Sequence, residues 1–96
     1  PADAVLALAL IHHLAITNNV PLRRLADFFG KISNWLIIEF VPKADSQVQR
    51  LLRSKEDIFP GYTQKRFETE FGRHFQVCQK RGIADSDRTL YLMKKL

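Results

Sequence analysis

Cysteine is nearly absent, because the 96-residue sequence contains only Cys78. A single thiol forms no internal disulfide, and it cannot supply the paired cysteines of a structural zinc site. Disulfide-stapled scaffolds and cysteine-based metal folds are therefore excluded. A chain that depends on no disulfide is typical of a reducing compartment, which predicts a cytoplasmic protein.

Long apolar runs are also missing. The run AVLALALI at residues 4–11 is far shorter than the roughly 20 residues that cross a bilayer. It lacks the basic amino-terminal region of a signal peptide, since Asp3 precedes it. The sequence therefore predicts neither a membrane span nor a secretory signal, and no membrane partner.

A concentrated basic motif is missing as well. The net charge is +5, but the lysines and arginines are spread along the chain with acidic residues between them. This pattern is typical of a solvated surface, and we expect no nucleic-acid partner. The only histidines are His12, His13 and His74. Adjacent side chains diverge and no ligand-spaced third residue follows, so no metal site is predicted.

The residues that are present predict a folded α/β domain. Hydrophobic residues make up 46% of the chain and charged residues 26%, which is the composition of a globular protein. Periodicity cannot assign the apolar run to strand or helix. The polar residues Thr17, Asn18 and Asn19, followed by Pro21, are a helix-start signal. We therefore predict that this apolar run is a strand and that a helix follows Pro21.

The rest of the chain supplies clearer signals. WLIIEFV, residues 35–41, is β-branched and aromatic, and it predicts a strand covered on both faces. Asp45 or Ser46 can cap a short helix, and Thr63 can cap a longer one. Phe67, Phe71 and Phe75 share one face of that helix and predict a core stripe. Residues 75–84 and 88–95 predict a hairpin of two strands around the turn residues DSD.

The predicted order of elements leaves one sheet face without cover. Right-handed crossovers place the helices of parallel neighbouring strands on the same face when the chain steps in one direction. Both early strands nevertheless look apolar on both faces. We expect sequence from outside this chain to cover the second face and to pair with the free edge of the first strand. The 96 residues alone are expected to be poorly soluble or oligomeric.

Several stretches resemble a known family. DAVLALALIHHLAITNNVPLRRLADFF, NWLIIEFVPKADSQVQRLL, EDIFPGYTQKRFETEF and RTLYLM together resemble the carboxyl-terminal half of class I S-adenosylmethionine-dependent methyltransferases, in particular a nodulation-protein-like bacterial group. The resemblance implies that the four strands are strands 4 to 7 of an open Rossmann-like sheet, with residues 5–11 as the fourth strand and residues 35–41 as the fifth. In that sheet the last strand is antiparallel and lies between the fifth and sixth. Residues 1–96 would then be one part of a single methyltransferase domain.

The resemblance implies S-adenosylmethionine as cofactor, but the main binding motif is missing. The family holds the cofactor on a glycine-rich turn after the first strand and an acidic residue after the second. Neither has a counterpart here, and no G-x-G occurs among the four glycines. We expect the amino-terminal half of the domain to supply both, and this chain alone to be inactive.

The exit of the first strand supplies the candidate site residues. The resemblance places Leu10 and Ile11 beside the cofactor, because ligands gather at the carboxyl ends of strands in open α/β sheets. IHHL looks like a histidine-containing exit motif of some O-methyltransferases, which implies that His12 is a general base. His13 then lines the substrate pocket. The alternative is that both histidines only shape the pocket or cap the helix.

A second candidate set follows the next strand. Glu39, Lys43 and Asp45 lie at its exit, and we assign Glu39 and Lys43 to the edge of the substrate pocket. A carboxylate in an apolar strand is costly unless it is paired. We expect an Arg or Lys from a neighbouring loop to pair with Glu39.

Two functions remain open. The first is methyl transfer to a small-molecule acceptor by in-line displacement, performed by a longer protein. The second is a non-catalytic, methyltransferase-like binding module that contacts a partner through its bare sheet edge.

Overall fold

The chain forms one four-stranded mixed sheet, and its helices lie in the connections between consecutive strands. A computed structural model describes residues 2–53 and 57–96. The strands are β1 (Ala2–Ala7), β2 (Ser33–Phe40), β3 (Phe75–Gly82) and β4 (Thr89–Lys95). The helices are a π-helical turn (His13–Thr17), α1 (Leu22–Ile32), α2 (Ser46–Leu52) and α3 (Gln64–Phe71). None of the helices in the described ranges is long and apolar enough to cross a bilayer.

The sheet order is β1-β2-β4-β3. β1 and β2 are parallel, while β4 is antiparallel to both of its neighbours. The predicted α/β class and the antiparallel last strand are therefore confirmed. Phe40, at the end of β2, pairs with Thr89, at the beginning of β4. Because β1 and β2 are parallel, the end of β1 lies at the same end of the sheet.

The core lies on one face of the sheet. Alternate side chains of β2 and β4 are buried there together with side chains from every helix, and they form one cluster. Phe67, Phe71 and Phe75 belong to it, with ring centroids 4.5 and 6.3 Å apart in sequence order. The predicted core stripe is confirmed. Phe75 is the first residue of β3, however, because α3 ends at Phe71.

The other face of the sheet is not covered within the described residues. Cross-strand pairing places Leu6, Ile37 and Leu92 in one row on this side, with Trp35 beside them. We call these four residues the open face. Leu6 is 63% exposed and Trp35 is 38% exposed. The prediction that the helices pack on one face and leave apolar residues on the other is confirmed.

The first strand is shorter than predicted. Pairing with β2 stops at Ala7, and Ala9 then takes a left-handed conformation with φ 50° that turns the chain away from the sheet. The predicted strand over residues 5–11 is therefore wrong beyond Ala7. Ile11 begins a helical segment and is fully buried in the core. Leucine and alanine favour helix where no neighbouring strand holds them extended.

The start of α1 also differs from the prediction. Pro21 is the N-cap residue, and no side chain caps the helix. Thr17, Asn18 and Asn19 are therefore not its N-cap. Thr17 ends the π-helical turn, Asn18 is the C-cap of that turn, and residues 20 and 21 separate all three from Leu22. The other two capping predictions are confirmed, since Asp45 accepts a hydrogen bond from the Gln47 N–H and Thr63 accepts one from the Arg66 N–H.

Candidate functional site

Polar side chains converge where the parallel strands end. His12 and His13 follow β1, Glu39 is near the end of β2, Asp45 caps α2, and Arg88 precedes β4. We call these five residues the exit cluster. Its position is the edge of an open α/β sheet at which ligands usually bind.

Arg88 links the two carboxylates of the exit cluster. Its Nε and one terminal nitrogen donate to the Asp45 carboxylate at 2.8 and 3.3 Å, and its other terminal nitrogen is 3.4 Å from Glu39 Oε1. The Arg88 hydrogen bonds hold the pKa of Asp45 below its usual value. The arginine side chain is 19% exposed and each carboxylate is 10% exposed. The predicted pairing of Glu39 with a basic residue of a neighbouring loop is confirmed.

Glu39 also supports the turn that follows β1. The Ala9 N–H donates to Glu39 Oε1 at 2.9 Å, and Ala9 is the residue with the left-handed backbone. A non-glycine residue in this conformation is strained by about 1 kcal/mol. The carboxylate thus stabilises a strained turn directly before the histidines.

His12 is fully buried, and neither ring nitrogen makes a hydrogen bond of good distance and angle among the described residues, although the Gln47 side chain lies close enough to interact with the ring. Its ring lies against His13, with centroids 4.2 Å apart. Burial lowers the pKa of His12, and the neighbouring His13 and Arg88 lower it further, while Gln47 and Asp45 oppose the shift. The imidazole is therefore neutral at neutral pH, with a free lone pair on one nitrogen. A buried, neutral, unpaired imidazole can accept a proton from a group that reaches it.

The structure brings together only part of the set predicted from the sequence. His13 is exposed beside His12, while Leu10 is 39% exposed after the end of β1. The side chain of Ile11 lies in the hydrophobic core. Lys43 lies outside the exit cluster, where its ammonium group binds both Asp57 oxygens at 3.0 Å.

Arg88 is the member of the exit cluster that sequence analysis did not identify. Two signals were available. The carboxylate of Glu39 in an apolar strand requires a cation, and the second strand of the predicted hairpin begins near the end of β2. Identifying Arg88 among the fifteen basic residues requires the strand order, because only the insertion of β4 beside β2 brings it to Glu39.

The exit cluster carries charge but does not resemble a metal centre. With His12 neutral, one guanidinium and two carboxylates leave a net charge of −1 in the inner part of the cluster. In residues 2–53 and 57–96, no three His, Cys, Asp or Glu side chains are arranged to hold a metal ion. A cationic or proton-donating ligand group suits this charge.

Comparison with known proteins gives one informative match. The chain is 45% identical over 94 residues to the nodulation protein NoeA of Rhizobium meliloti (strain 1021). The match covers 98% of this chain and 20% of NoeA, so the chain spans about a fifth of the length of that protein. No family model and no solved structure matches the chain. The chain is thus similar to one segment of a bacterial nodulation protein.

Proposed function

We propose that this chain is the carboxyl-terminal part of a domain that transfers a methyl group from S-adenosylmethionine to a small-molecule acceptor. The observation that carries the proposal is the sheet order β1-β2-β4-β3 with an antiparallel β4, combined with a polar cluster at the ends of the parallel strands. Ligands of open α/β sheets bind at this edge. The methyl donor is a sulfonium cation, which suits the net negative charge there.

The proposed role of His12 follows from its protonation state. A neutral imidazole can take the proton of an acceptor hydroxyl while the acceptor oxygen attacks the cofactor methyl group in line. His12 is fully buried, so the acceptor reaches it only when the contact with His13 opens. In this proposal Leu10 forms the cofactor side of the site, with Ile11 buried beneath it. Glu39 and Lys43 border the acceptor side.

The open face and the free edge of β1 support a further proposal about the rest of the domain. Leu6 and Trp35 are exposed on an apolar surface, and NoeA extends well beyond the matching 94 residues. We propose that another segment of a longer, cytoplasmic polypeptide covers the open face, pairs with β1 and supplies the glycine-rich cofactor turn. The chain alone is then inactive.

The second candidate is a non-catalytic binding module with the same fold. It is favoured by one observation, the complete enclosure of the His12 ring with both nitrogens unpaired. In this case the exit cluster only stabilises the end of the sheet, and the unpaired lateral side of the edge strand β1 binds a partner.

A chimera tests these proposals. This chain replaces the matching 94 residues of NoeA, and binding of S-adenosylmethionine is measured by calorimetry for the chimera, for NoeA and for the isolated chain. We expect the first two to bind and the isolated chain not to bind. Absence of binding by both NoeA and the chimera would overturn the methyl-transfer proposal.

The same chimera separates the two candidates through His12. Release of S-adenosylhomocysteine is followed with a panel of small hydroxylated acceptors. Since general base catalysis contributes about 100-fold or more, His12→Gln should slow release by about this factor with cofactor binding unchanged. His13→Gln is the comparison variant: because His13 lines the proposed substrate pocket, it should raise the KM for the acceptor with little change in kcat. Cofactor binding without any turnover, or turnover that is unaffected by His12→Gln, would remove the base assignment.

A further inference from the structure

A cavity of about 400 Å³ lies away from the exit cluster. It is enclosed by the segment around the π-helical turn, the beginning of α1, residues 58–62 and α3. No member of the exit cluster lines it. Cavities of about 300–1,000 Å³ are the usual size of small-molecule sites.

About half of the cavity wall is apolar. Val20, Leu22, Phe59 and Tyr62 line it, and the loop residue Ile58 forms an exposed apolar lip. The Tyr62 hydroxyl donates to the Val41 carbonyl oxygen at 2.5 Å, so its hydrogen-bonding capacity is already used. The wall therefore favours a flat or branched hydrocarbon body.

One guanidinium on the wall has no ion pair at contact distance. Arg23, Arg66 and Glu70 are the charged residues that line the cavity. The Glu70 carboxylate lies 3.5 Å from Arg66 and 3.6 Å from Arg73, so its charge is compensated. Arg23 forms no ion pair within 4 Å with any residue that the structure describes, and it interacts only at longer range with Asp27, four residues later in α1. A ligand with an anionic group would supply the close ionic contact that the protein does not.

The loop that closes the cavity is held in place by the protein itself. Lys43 binds Asp57 at 3.0 Å, and Asp57 also accepts a hydrogen bond from the Phe59 N–H at 3.1 Å. The Tyr62 N–H donates to the Phe59 carbonyl oxygen at 3.1 Å. A preformed wall reduces the entropy lost when a ligand binds. This also gives Lys43 a positioning role that is independent of the exit cluster.

We propose that this cavity binds a small amphipathic anion, with its apolar body against Val20, Phe59 and Tyr62 and its carboxylate, sulfonate or phosphate group paired with Arg23. The proposal does not depend on methyl transfer, because no residue of the exit cluster takes part. It assigns the ligand class by charge and shape: one anionic group attached to an aromatic or short aliphatic body.

Two fluorescent probes with the same ring system test the proposal on the 96-residue chain. The anionic probe is 8-anilinonaphthalene-1-sulfonate, and the neutral probe is N-phenyl-1-naphthylamine. Arg23→Gln removes the proposed partner. The matched control is Arg24→Gln, which makes the same change at the next exposed residue of α1, outside the cavity. Gly61→Leu adds a large side chain at a residue that lines the cavity, and the fold should tolerate it because a Cβ at Gly61 meets no other atom within 4 Å.

We expect Arg23→Gln to weaken binding of the sulfonate about tenfold, as for loss of a charge-assisted hydrogen bond, and to change neutral-probe binding less than about twofold. Arg24→Gln should change neither probe, and Gly61→Leu should weaken both. Equal loss in the two arginine variants would indicate a general charge effect and overturn the proposal. Unchanged binding in Arg23→Gln with loss in the open-face variant Leu6→Lys would place the probe on the sheet, which also overturns it.

Discussion

At the scale of single residues, His12 is the most unusual side chain in the protein. Burying polar atoms without hydrogen-bond partners costs about 1–3 kcal/mol, and both ring nitrogens of His12 are in this condition. A leucine of similar size would avoid the cost. Such a destabilising residue is expected at a functional position, where its chemistry and not its packing is required.

The buried imidazole makes stability depend on pH. An unfolded histidine titrates near 6.5, and burial lowers the pKa of His12 in the folded state. Between these two pKa values the unfolded chain binds more protons than the folded protein. The free energy of unfolding therefore falls as the pH drops below 6.5, and the contribution of the neutral His12 is complete above this pH. We expect His12→Leu to flatten this dependence, as measured by urea unfolding between pH 7.5 and 5.5.

His13→Leu is the control for this prediction, because it removes an exposed imidazole from the adjacent position. It should keep most of the wild-type dependence between pH 7.5 and 5.5, because burial is the larger cause of the lowered His12 pKa and only the smaller contribution of His13 is lost. The prediction is wrong if His12→Leu and wild type lose stability equally over this range. The depressed pKa values of Asp27, Asp45, Asp57 and Glu68 act at lower pH and do not interfere.

A second residue-scale prediction concerns Gly30, which is buried inside α1. A Cβ there would lie 3.0 Å from His74 Cγ and 3.1 Å from His74 Cβ. The His74 ring cannot easily move, since its Nε2 shares a hydrogen bond of 2.6 Å with Asp27 Oδ1. Ala usually stabilises a helix by about 1 kcal/mol over Gly, but overpacking costs about 1–3 kcal/mol. We expect Gly30→Ala to destabilise the protein by about 1 kcal/mol in urea unfolding.

The contact with His74 can be tested directly. In a His74→Gly background both close contacts, to Cβ and to Cγ of residue 74, are removed, so Gly30→Ala should become neutral or stabilising. If the substitution destabilises both backgrounds equally, the close approach of His74 is not the cause.

At the scale of elements, Arg88 connects three parts of the fold. It joins the end of β2 through Glu39, the beginning of α2 through Asp45, and the hairpin that it belongs to. Arg88→Met would leave two carboxylates without their cation at 10% exposure. Loss of one partner of a buried pair costs about 3–5 kcal/mol, and partial exposure of Arg88 reduces our expectation to about 2 kcal/mol in the free energy of unfolding.

Arg66→Met is the matched control for this substitution. Arg66 lies 3.5 Å from Glu70 with its side chain 58% exposed, and surface pairs contribute about 0.2–1 kcal/mol. Adding Glu39→Gln to Arg88→Met should restore part of the lost stability, since it removes one unpaired charge. Similar losses in the two single variants would show that the buried network adds nothing beyond a surface pair.

Elements defined by local chemistry were predictable from the sequence. Asp45 and Thr63 cap α2 and α3 because their side chains reach N–H groups two and three residues ahead. The position at which β1 ends was not predictable, since it depends on its pairing with β2, which stops at the pair of Ala7 and Ile38. The helix after Pro21 was predicted, but the π-helical turn before it carries no local signal. At the candidate site, the carboxylate that needs a partner was predictable, whereas Arg88 depended on strand order.

At the scale of the whole molecule, the open face explains why the sequence looks apolar on both sides of its early strands. Leu6, Ile37 and Leu92 form a continuous row across β1, β2 and β4. Trp35 continues the surface, and the Lys94 ammonium lies 5.5 Å from the centre of its ring. Exposed apolar rows next to an unpaired strand edge promote association. The net charge of +5 opposes association, but none of the three residues of the row is charged.

We therefore expect the isolated chain to self-associate through the open face. Sedimentation velocity should give a weight-average mass above the 11.1 kDa of the monomer, rising with concentration. Leu6→Lys places a charge at the β1 end of the row, at a side chain that is already 63% exposed, so the fold should tolerate it and the mass should fall toward 11.1 kDa. Phe28→Lys removes an apolar side chain that is 54% exposed from α1, on the helical side of the molecule, and should leave association unchanged. If the wild-type chain is a monomer at every concentration, or if both lysine variants reduce its mass alike, the open face does not drive association. The proposal that another segment covers this face would then lose its main support.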